Sequence, residues 1–323
     1  MRAIVCKNWG EVGDLSLETI AAPVAGPGEV LIDVKAAAVN FADSIMVAGN
    51  YQTKPDLPFT PGLEASGVVA ACGDGVTHLR PGDRVMAMLA HGGYAEQAVV
   101  DAGDVFAIPD RMGFDDGATF PVSYISSDVA IRWQGRLTAG ETMLVLGAAG
   151  GVGLTAVEIG KAMGARVIAA ASSPEKLAVA RDHGADDGIN YAEESLKDRV
   201  MALTDDRGVD VCFDPVGGDM FDPALSSLAW GGRILVVGFV GGIPRIPANR
   251  LLVKNRSALG CSLRHYRWNE PEKLKHSVAA LFEWYEAGKL SPLVTHTYPL
   301  EDTVEAIELL TSRRAHGKII VNP

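Results

Sequence analysis

Seven residues, Gly147-Ala148-Ala149-Gly150-Gly151-Val152-Gly153, constrain this chain more than any other part of it. They follow a short apolar run, Met143-Leu144-Val145-Leu146, of the kind that forms a strand buried on both faces. They open a helical segment at 152–163. Glycines between such a strand and helix let the backbone approach a pyrophosphate, and the helix N-terminus offers it free N–H groups and a positive dipole end. Gly153 lets helix and strand pack closely. Ala148 departs from the pattern, standing where the first glycine of G-x-G-x-x-G is expected. Taken alone, the loop is equally a glycine-rich turn with no ligand. Its place within βαβ units favours a dinucleotide.

The surroundings supply those units. From about 120 to 262, apolar runs at 166–170, 209–213 and 233–237 alternate with helical segments, which indicates a parallel sheet. Ser173 is placed as an N-cap, Pro174 as the first helical residue and Gly184 as the stop of one such helix. The stretch before 120 is β-rich, with strands expected at 29–36, 65–70, 83–87 and 93–100 and a short one at the N-terminus. Gly and Pro punctuate them, as in Arg80-Pro81-Gly82-Asp83, and the pattern suggests a small barrel or sandwich. After 262 come two helices and a closing strand at 317–321, with Asp302 and Glu305 spaced like a capping box.

Composition removes other classes. Of 323 residues, 48% are hydrophobic, too many for a disordered chain. No run of ~18 apolar residues suits a membrane span. The net charge of −11 argues against a general nucleic-acid binder. Four cysteines are too few for a disulfide scaffold. Lys7 and Asn8 interrupt the N-terminal apolar residues before a signal peptide's core could form, and no lipidation signal is seen, so a cytoplasmic protein is expected.

Cofactor choice is read at the end of the second strand, Ala169-Ala170-Ala171-Ser172-Ser173-Pro174-Glu175-Lys176. An acid there would bind a ribose 2′-hydroxyl, and none is present at the strand end. Two hydroxyls and a lysine instead suit a 2′-phosphate, and so NADPH. The plainer alternative makes Ser173 only a cap and Lys176 a solvated surface residue.

The loop from Ala148 to Gly153 resembles that of the zinc-free quinone oxidoreductases of the medium-chain dehydrogenase/reductase superfamily. So do Asn40-Phe41-Ala42-Asp43 with Gly49-Asn50-Tyr51, Pro61-Gly62-Leu63-Glu64-Ala65-Ser66-Gly67, Asp186-Asp187-Gly188-Ile189-Asn190-Tyr191 and Asp214-Pro215-Val216-Gly217. The resemblance runs the length of the chain. It implies an α/β protein with a GroES-like β-rich catalytic domain, 1–122 and 263–323, and an inserted Rossmann domain with a doubly wound parallel sheet, 123–262. It implies NADPH held by Ala149, Gly150, Gly151, Val152 and Gly153 in the loop. Around the 2′-phosphate it implies Ser172, Ser173, Lys176 and Tyr191, with Arg313 reaching in from the tail. Ser126, Val216, Gly238, Phe239 and Val240 would line the nicotinamide and its ribose. Read alone, Tyr191 is equally a packed aromatic and Arg313 a helix-end charge. A homodimer is also implied, with 233–238 and 257–263 pairing across a two-fold as sheet edges.

Metal-dependent relatives use Cys and His ligands that this chain replaces. Asn40 lies in the segment of one ligand and Leu63 at the other, and Glu64 remains without partners. Cys6, Cys72, Cys212 and Cys261 are spread over the chain and form no C-x-x-C. A catalytic zinc is therefore not expected. Without a Lewis acid the substrate must accept hydride readily, as quinones and α,β-unsaturated carbonyls do. Simple alcohols do not, because their oxidation requires proton removal. Asn40 and Tyr51 are the candidate donors to the substrate oxygen, and Tyr51 can pass a proton. Asp43 either orients Asn40 or binds substrate, or is a helix N-cap. Two other readings remain open. One is an enoyl-thioester reductase, with Arg264-His265-Tyr266-Arg267 meeting a CoA phosphate; the other is a protein that binds NADPH without turnover.

Overall fold

The computed structural model describes residues 1–323, in two compact units: 1–122 with 292–323, and 123–291. In chain order the strands are β1 (Arg2–Val5), β2 (Ser16–Thr19), β3 (Glu29–Ala38), β4 (Glu64–Cys72), β5 (Arg84–Met88), β6 (Gln97–Asp101) and β7 (Val105–Ala107). Then come β8 (Thr142–Leu146), β9 (Arg166–Ala171), β10 (Asp187–Asn190), β11 (Val209–Asp214), β12 (Leu228–Val236), β13 (Ser257–Gly260), β14 (Val294–Pro299) and β15 (Lys318–Asn322). Five helices matter below: α1 (Phe41–Val47), α2 (Gly151–Ala162), α3 (Pro174–Asp182), α4 (Pro271–Glu286) and α5 (Thr303–Thr311).

The first unit is built on a mostly antiparallel sheet of order β14-β15-β3-β4-β5-β7, with β6 also paired to β3. β3 ends on three buried alanines, Ala36–Ala38, but from Glu29 to Lys35 it alternates, burying Val30, Ile32 and Val34. This is the period-two signature of a strand with one face on the core. Ile307 of α5 and Ile319 and Val321 of β15 join the same core, which ties the C-terminal segment to the N-terminal one. The strand expected at 93–100 begins only at Gln97. Tyr94 and Glu96 instead bond the backbone of β1, through Ile4 N–H to Tyr94 O and Glu96 N–H to Arg2 O. Asp302 sits before α5 with no side-chain capping bond, so the expected capping box does not form.

The second unit is a six-stranded parallel sheet of order β10-β9-β8-β11-β12-β13. Every residue of β8 is buried, as a strand covered on both faces must be. The order reverses between β8 and β11. In open sheets of this kind the ligand crevice forms there, at the carboxyl ends of the strands. Ser173 caps α3, its Oγ accepting from Lys176 N–H, with Pro174 at the first turn.

The second unit extends past the boundary expected at 262. Helix α4 buries Leu274, Ser277, Val278 and Leu281, a single stripe at helical spacing. Its partners lie within 123–134: Trp133 Nε1 donates to Ser277 Oγ at 2.9 Å, and the Arg132 guanidinium lies 4.9 Å from the Trp284 ring centre. Residues 263–291 therefore pack with the parallel-sheet unit, and the chain returns to the first unit at 292. β12 has β11 on one side and β13 on the other, so 233–238 offers no free edge. Of the two segments expected to pair across a two-fold, only the one holding β13 is an outer strand.

Candidate active site

The glycine loop lies at the carboxyl end of β8. Gly147 takes a left-handed backbone, φ 58°, so the positive-φ duty falls on Gly147 and Ala148 is tolerated beside it. Gly153 backs directly onto Gly147, where an added Cβ would lie 2.1 Å from the Gly147 carbonyl oxygen. Gly150 caps α2 with extended backbone and no side chain to take its first N–H groups. The amides at the start of α2 therefore remain available to an anion.

Three further segments meet the crevice. At the end of β9, Lys176 Nζ donates to Ser172 Oγ at 3.4 Å. Tyr191 follows β10, its backbone N–H bonds Ala171 O at 3.1 Å next to Ser172, and its side chain packs in part against the core of the second unit. At the end of β11, Asp214 Oδ1 accepts from the N–H groups of Val216 and Gly217, both at 2.8 Å, and shapes the turn. Its Oδ2 is buried with no partner, and burial raises its carboxyl above the usual range despite those two bonds. That turn zips to the loop after β12, through Gly241 N–H to Val216 O and Gly218 N–H to Gly242 O, both at 2.7 Å. Val216, Gly238, Phe239 and Val240 are thereby gathered. Ser126 lies in the short helix Ile125–Asp128, bracketed by two π-turns, Phe120–Tyr124 and Val129–Gln134. Such π-turns recur at functional sites. Here Thr155 Oγ1 bonds both Ser123 O, at 3.3 Å, and Ser127 Oγ, at 2.8 Å.

The first unit holds Asn40, Asp43, Tyr51 and Arg313. Arg313 follows α5 in a left-handed conformation, φ 59°. Asn40 precedes α1, and its backbone N–H is taken by Asp43 Oδ2 at 2.8 Å. Asp43 is thus the third residue of α1 and not its cap. The Tyr94 hydroxyl, missed in the sequence, donates to the same Oδ2 at 2.6 Å, and Asp43 Oδ1 is buried unpartnered. Burial pushes the Asp43 carboxyl up to about 7, against these hydrogen bonds and the nearby Lys318 charge. Burial and the neighbouring Asp43 likewise push the Tyr94 hydroxyl far up.

Glu64 has partners after all. Its Oε1 accepts from Lys318 Nζ at 2.8 Å and Asn40 Nδ2 at 2.9 Å, and its Oε2 from Val122 N–H at 2.7 Å. Asn40 Nδ2 also donates to Ala38 O at 3.2 Å. Both amide hydrogens are therefore engaged, and Asn40 keeps no donor for a substrate oxygen. This corrects its expected role. Tyr51 is half-buried against the first unit's core. The signal for the missed Lys318 was a charge inside an apolar closing strand, Lys318-Ile319-Ile320-Val321.

A parallel sheet of this order in one unit, with a β-rich unit built from both chain ends as the other, defines a two-domain oxidoreductase of the medium-chain type. Residues 26–110 match the alcohol dehydrogenase GroES-like domain, and 151–281 match the zinc-binding dehydrogenase family. A quinone oxidoreductase-like protein 2 from Rattus norvegicus is 39% identical over 99% of this chain and 92% of its own length. The Homo sapiens quinone oxidoreductase is 33% identical over 99% and 97%. The Escherichia coli quinone oxidoreductase, solved with NADPH, superposes with a TM-score of 0.94 at 29% identity, covering both chains fully. The chain belongs to the quinone oxidoreductase-like family of the medium-chain dehydrogenase/reductase superfamily, with its GroES-like and Rossmann-type domains.

Proposed function

We propose that this protein is an NADPH-dependent oxidoreductase that reduces a small quinone or α,β-unsaturated carbonyl without a metal. The observation that carries the reading is the crevice between β8 and β11. There the Gly147–Gly153 contact presents the α2 amides beside Ser172, Ser173 and Lys176 at the end of β9, with Tyr191 after β10. These residues fit the dinucleotide. The glycine contact leaves no room for a Cβ, the helix start carries no capping side chain, and a cation with hydroxyls stands where an acid would select NADH. The E. coli relative solved with NADPH supports the same cofactor.

When bound, NADPH supplies the hydride. The residues of this chain bind and orient. The α2 amides hold the pyrophosphate, and Lys176 with Ser172, Ser173 and Tyr191 holds the 2′-phosphate. Ser126 and the zipped turns at Val216 and Gly238–Val240 hold the nicotinamide end. Tyr51 donates to the substrate oxygen, where negative charge develops, and its hydroxyl can pass a proton. Asn40 and Asp43 hold the start of α1 in place.

Metal independence is supported by the donor set. No three His, Cys, Asp or Glu side chains are grouped to hold an ion, and Glu64 is committed to Lys318, Asn40 and Val122. Metal analysis finding stoichiometric zinc would overturn it.

We place the protein in the cytoplasm. Its four cysteines are all unpaired, which suits a reducing compartment, and no helix is long and apolar enough to cross a membrane. A homodimer is supported by the free edge of β13 beside exposed Trp230, Leu252 and Val253. A solution mass twice 34.0 kDa is expected, and a monomeric mass would refute it.

NADPH consumption with a quinone, an enone and an enoyl-CoA tests the whole reading. Turnover with the first two supports it. Turnover with enoyl-CoA alone favours thioester reduction, and tight NADPH binding with no turnover favours a non-catalytic binder.

A further inference from the structure

Lys318 carries an ammonium buried to 5% exposure at the head of a strand whose next three residues, Ile319, Ile320 and Val321, are apolar and fully buried. Its three N–H groups have three acceptors: Glu64 Oε1 at 2.8 Å, Asn40 Oδ1 at 2.9 Å and Val39 O at 3.1 Å. Lysine only donates and an ionised carboxylate only accepts, so these two groups dictate which way the Asn40 amide faces. Oδ1 must turn to Lys318 and Nδ2 to Glu64. With its backbone N–H on Asp43, Asn40 is fixed at every polar atom that leads into α1. The same Glu64 carboxylate holds Val122 N–H. One buried cation thus organises the turn between β3 and α1 and Val122, where the chain leaves the first unit's N-terminal segment.

We propose that Lys318 is a positioning residue for the reduction. By orienting Asn40 and Glu64 it fixes the first turn of α1, and through α1 the placement of Tyr51 at the substrate. The inference rests on the reductase reading given above. A buried ion pair can often be replaced by neutral groups without loss of stability, whereas removal of one partner leaves an uncompensated charge. That difference separates positioning from simple support of the fold.

Lys318→Met should lower the melting temperature and reduce kcat roughly 10- to 100-fold, the cost of a misplaced catalytic group. Lys318→Met/Glu64→Gln removes both charges and keeps an acceptor for Val122 N–H. It should recover the melting temperature while kcat stays low and NADPH affinity is unchanged. Lys318→Arg keeps the cation and hence the fold, but its planar fork re-aims the donors, so kcat should again fall. The proposal is overturned if the double variant regains wild-type kcat, if Lys318→Arg is fully active, or if the loss appears only as weaker NADPH binding. Wild-type protein that reduces neither quinone nor enone would instead defeat the reductase reading itself.

Discussion

Gly153→Ala probes the packing on which nucleotide binding depends. The new Cβ would stand 2.1 Å from Gly147 O, 2.8 Å from Gly147 C and 3.1 Å from Ala148 Cα. All three are backbone atoms, so no side chain can swing aside. Relief requires the loop or the start of α2 to move by more than about 1 Å, since non-bonded heavy atoms in contact normally sit ~3.5 Å apart. Overpacking of this kind costs about 1–3 kcal/mol, or roughly 2–10 °C of melting temperature for a domain of this size. The same shift displaces the amides aimed at the pyrophosphate, and NADPH affinity should weaken at least about tenfold, or ~1.4 kcal/mol. Fluorescence titration and thermal melts read both effects. Gly113→Ala is the control, because a Cβ there meets nothing within 4 Å. Wild-type NADPH affinity in Gly153→Ala, with an unshifted melting temperature, would refute the reasoning.

Other substitutions test the remaining assignments. Lys176→Glu should move the NADPH/NADH ratio of kcat/KM toward NADH by roughly ten- to a hundredfold, the worth of a charged hydrogen bond; an unchanged ratio removes Lys176 from the 2′-phosphate site. Tyr51→Phe should lower kcat/KM by at least about tenfold through loss of a donor to the developing charge, and wild-type kinetics would exclude it. Asp43 is raised from 3.8 to about 7 in the fold, so the native state binds its proton more tightly than the unfolded chain does. That contribution is fully present below about pH 4, is lost as pH rises through 7, and amounts to a few kcal/mol. The groups acting on the carboxyl are Tyr94, the Asn40 amide, Lys318 and Glu64. Wild-type stability minus that of Asp43→Asn should therefore fall between pH 5 and 7 and level off above. A flat difference would show that Asp43 is ionised throughout.

What was legible in the sequence was local. The glycine loop, the Ser173–Pro174 start of α3 and the buried runs of β8 and β11 each declare themselves within a few residues. Helix α4 shows the limit. A helix after 262 was expected, but a helical pattern does not name its partner, and Trp133 lies 144 residues from Ser277. Sequence spacing likewise hides the buried network: Tyr94 is 51 residues from Asp43, and Lys318 is 254 from Glu64. Asn40 was found by its motif, yet its chemistry was misjudged. Whether an amide is free to donate depends on neighbours that only the fold supplies. The edge at 233–238 failed for a similar reason, since strand order decides which strands are outermost.

The central claim is direct delivery of hydride to an electron-poor carbon. Turnover of an enone with NADPH deuterated at the transferred position, followed by mass analysis of the product, tests it most directly. One deuterium retained on the product's β-carbon is predicted. A reduced product without carbon-bound deuterium, or no reduced product from protein saturated with NADPH, would contradict the account.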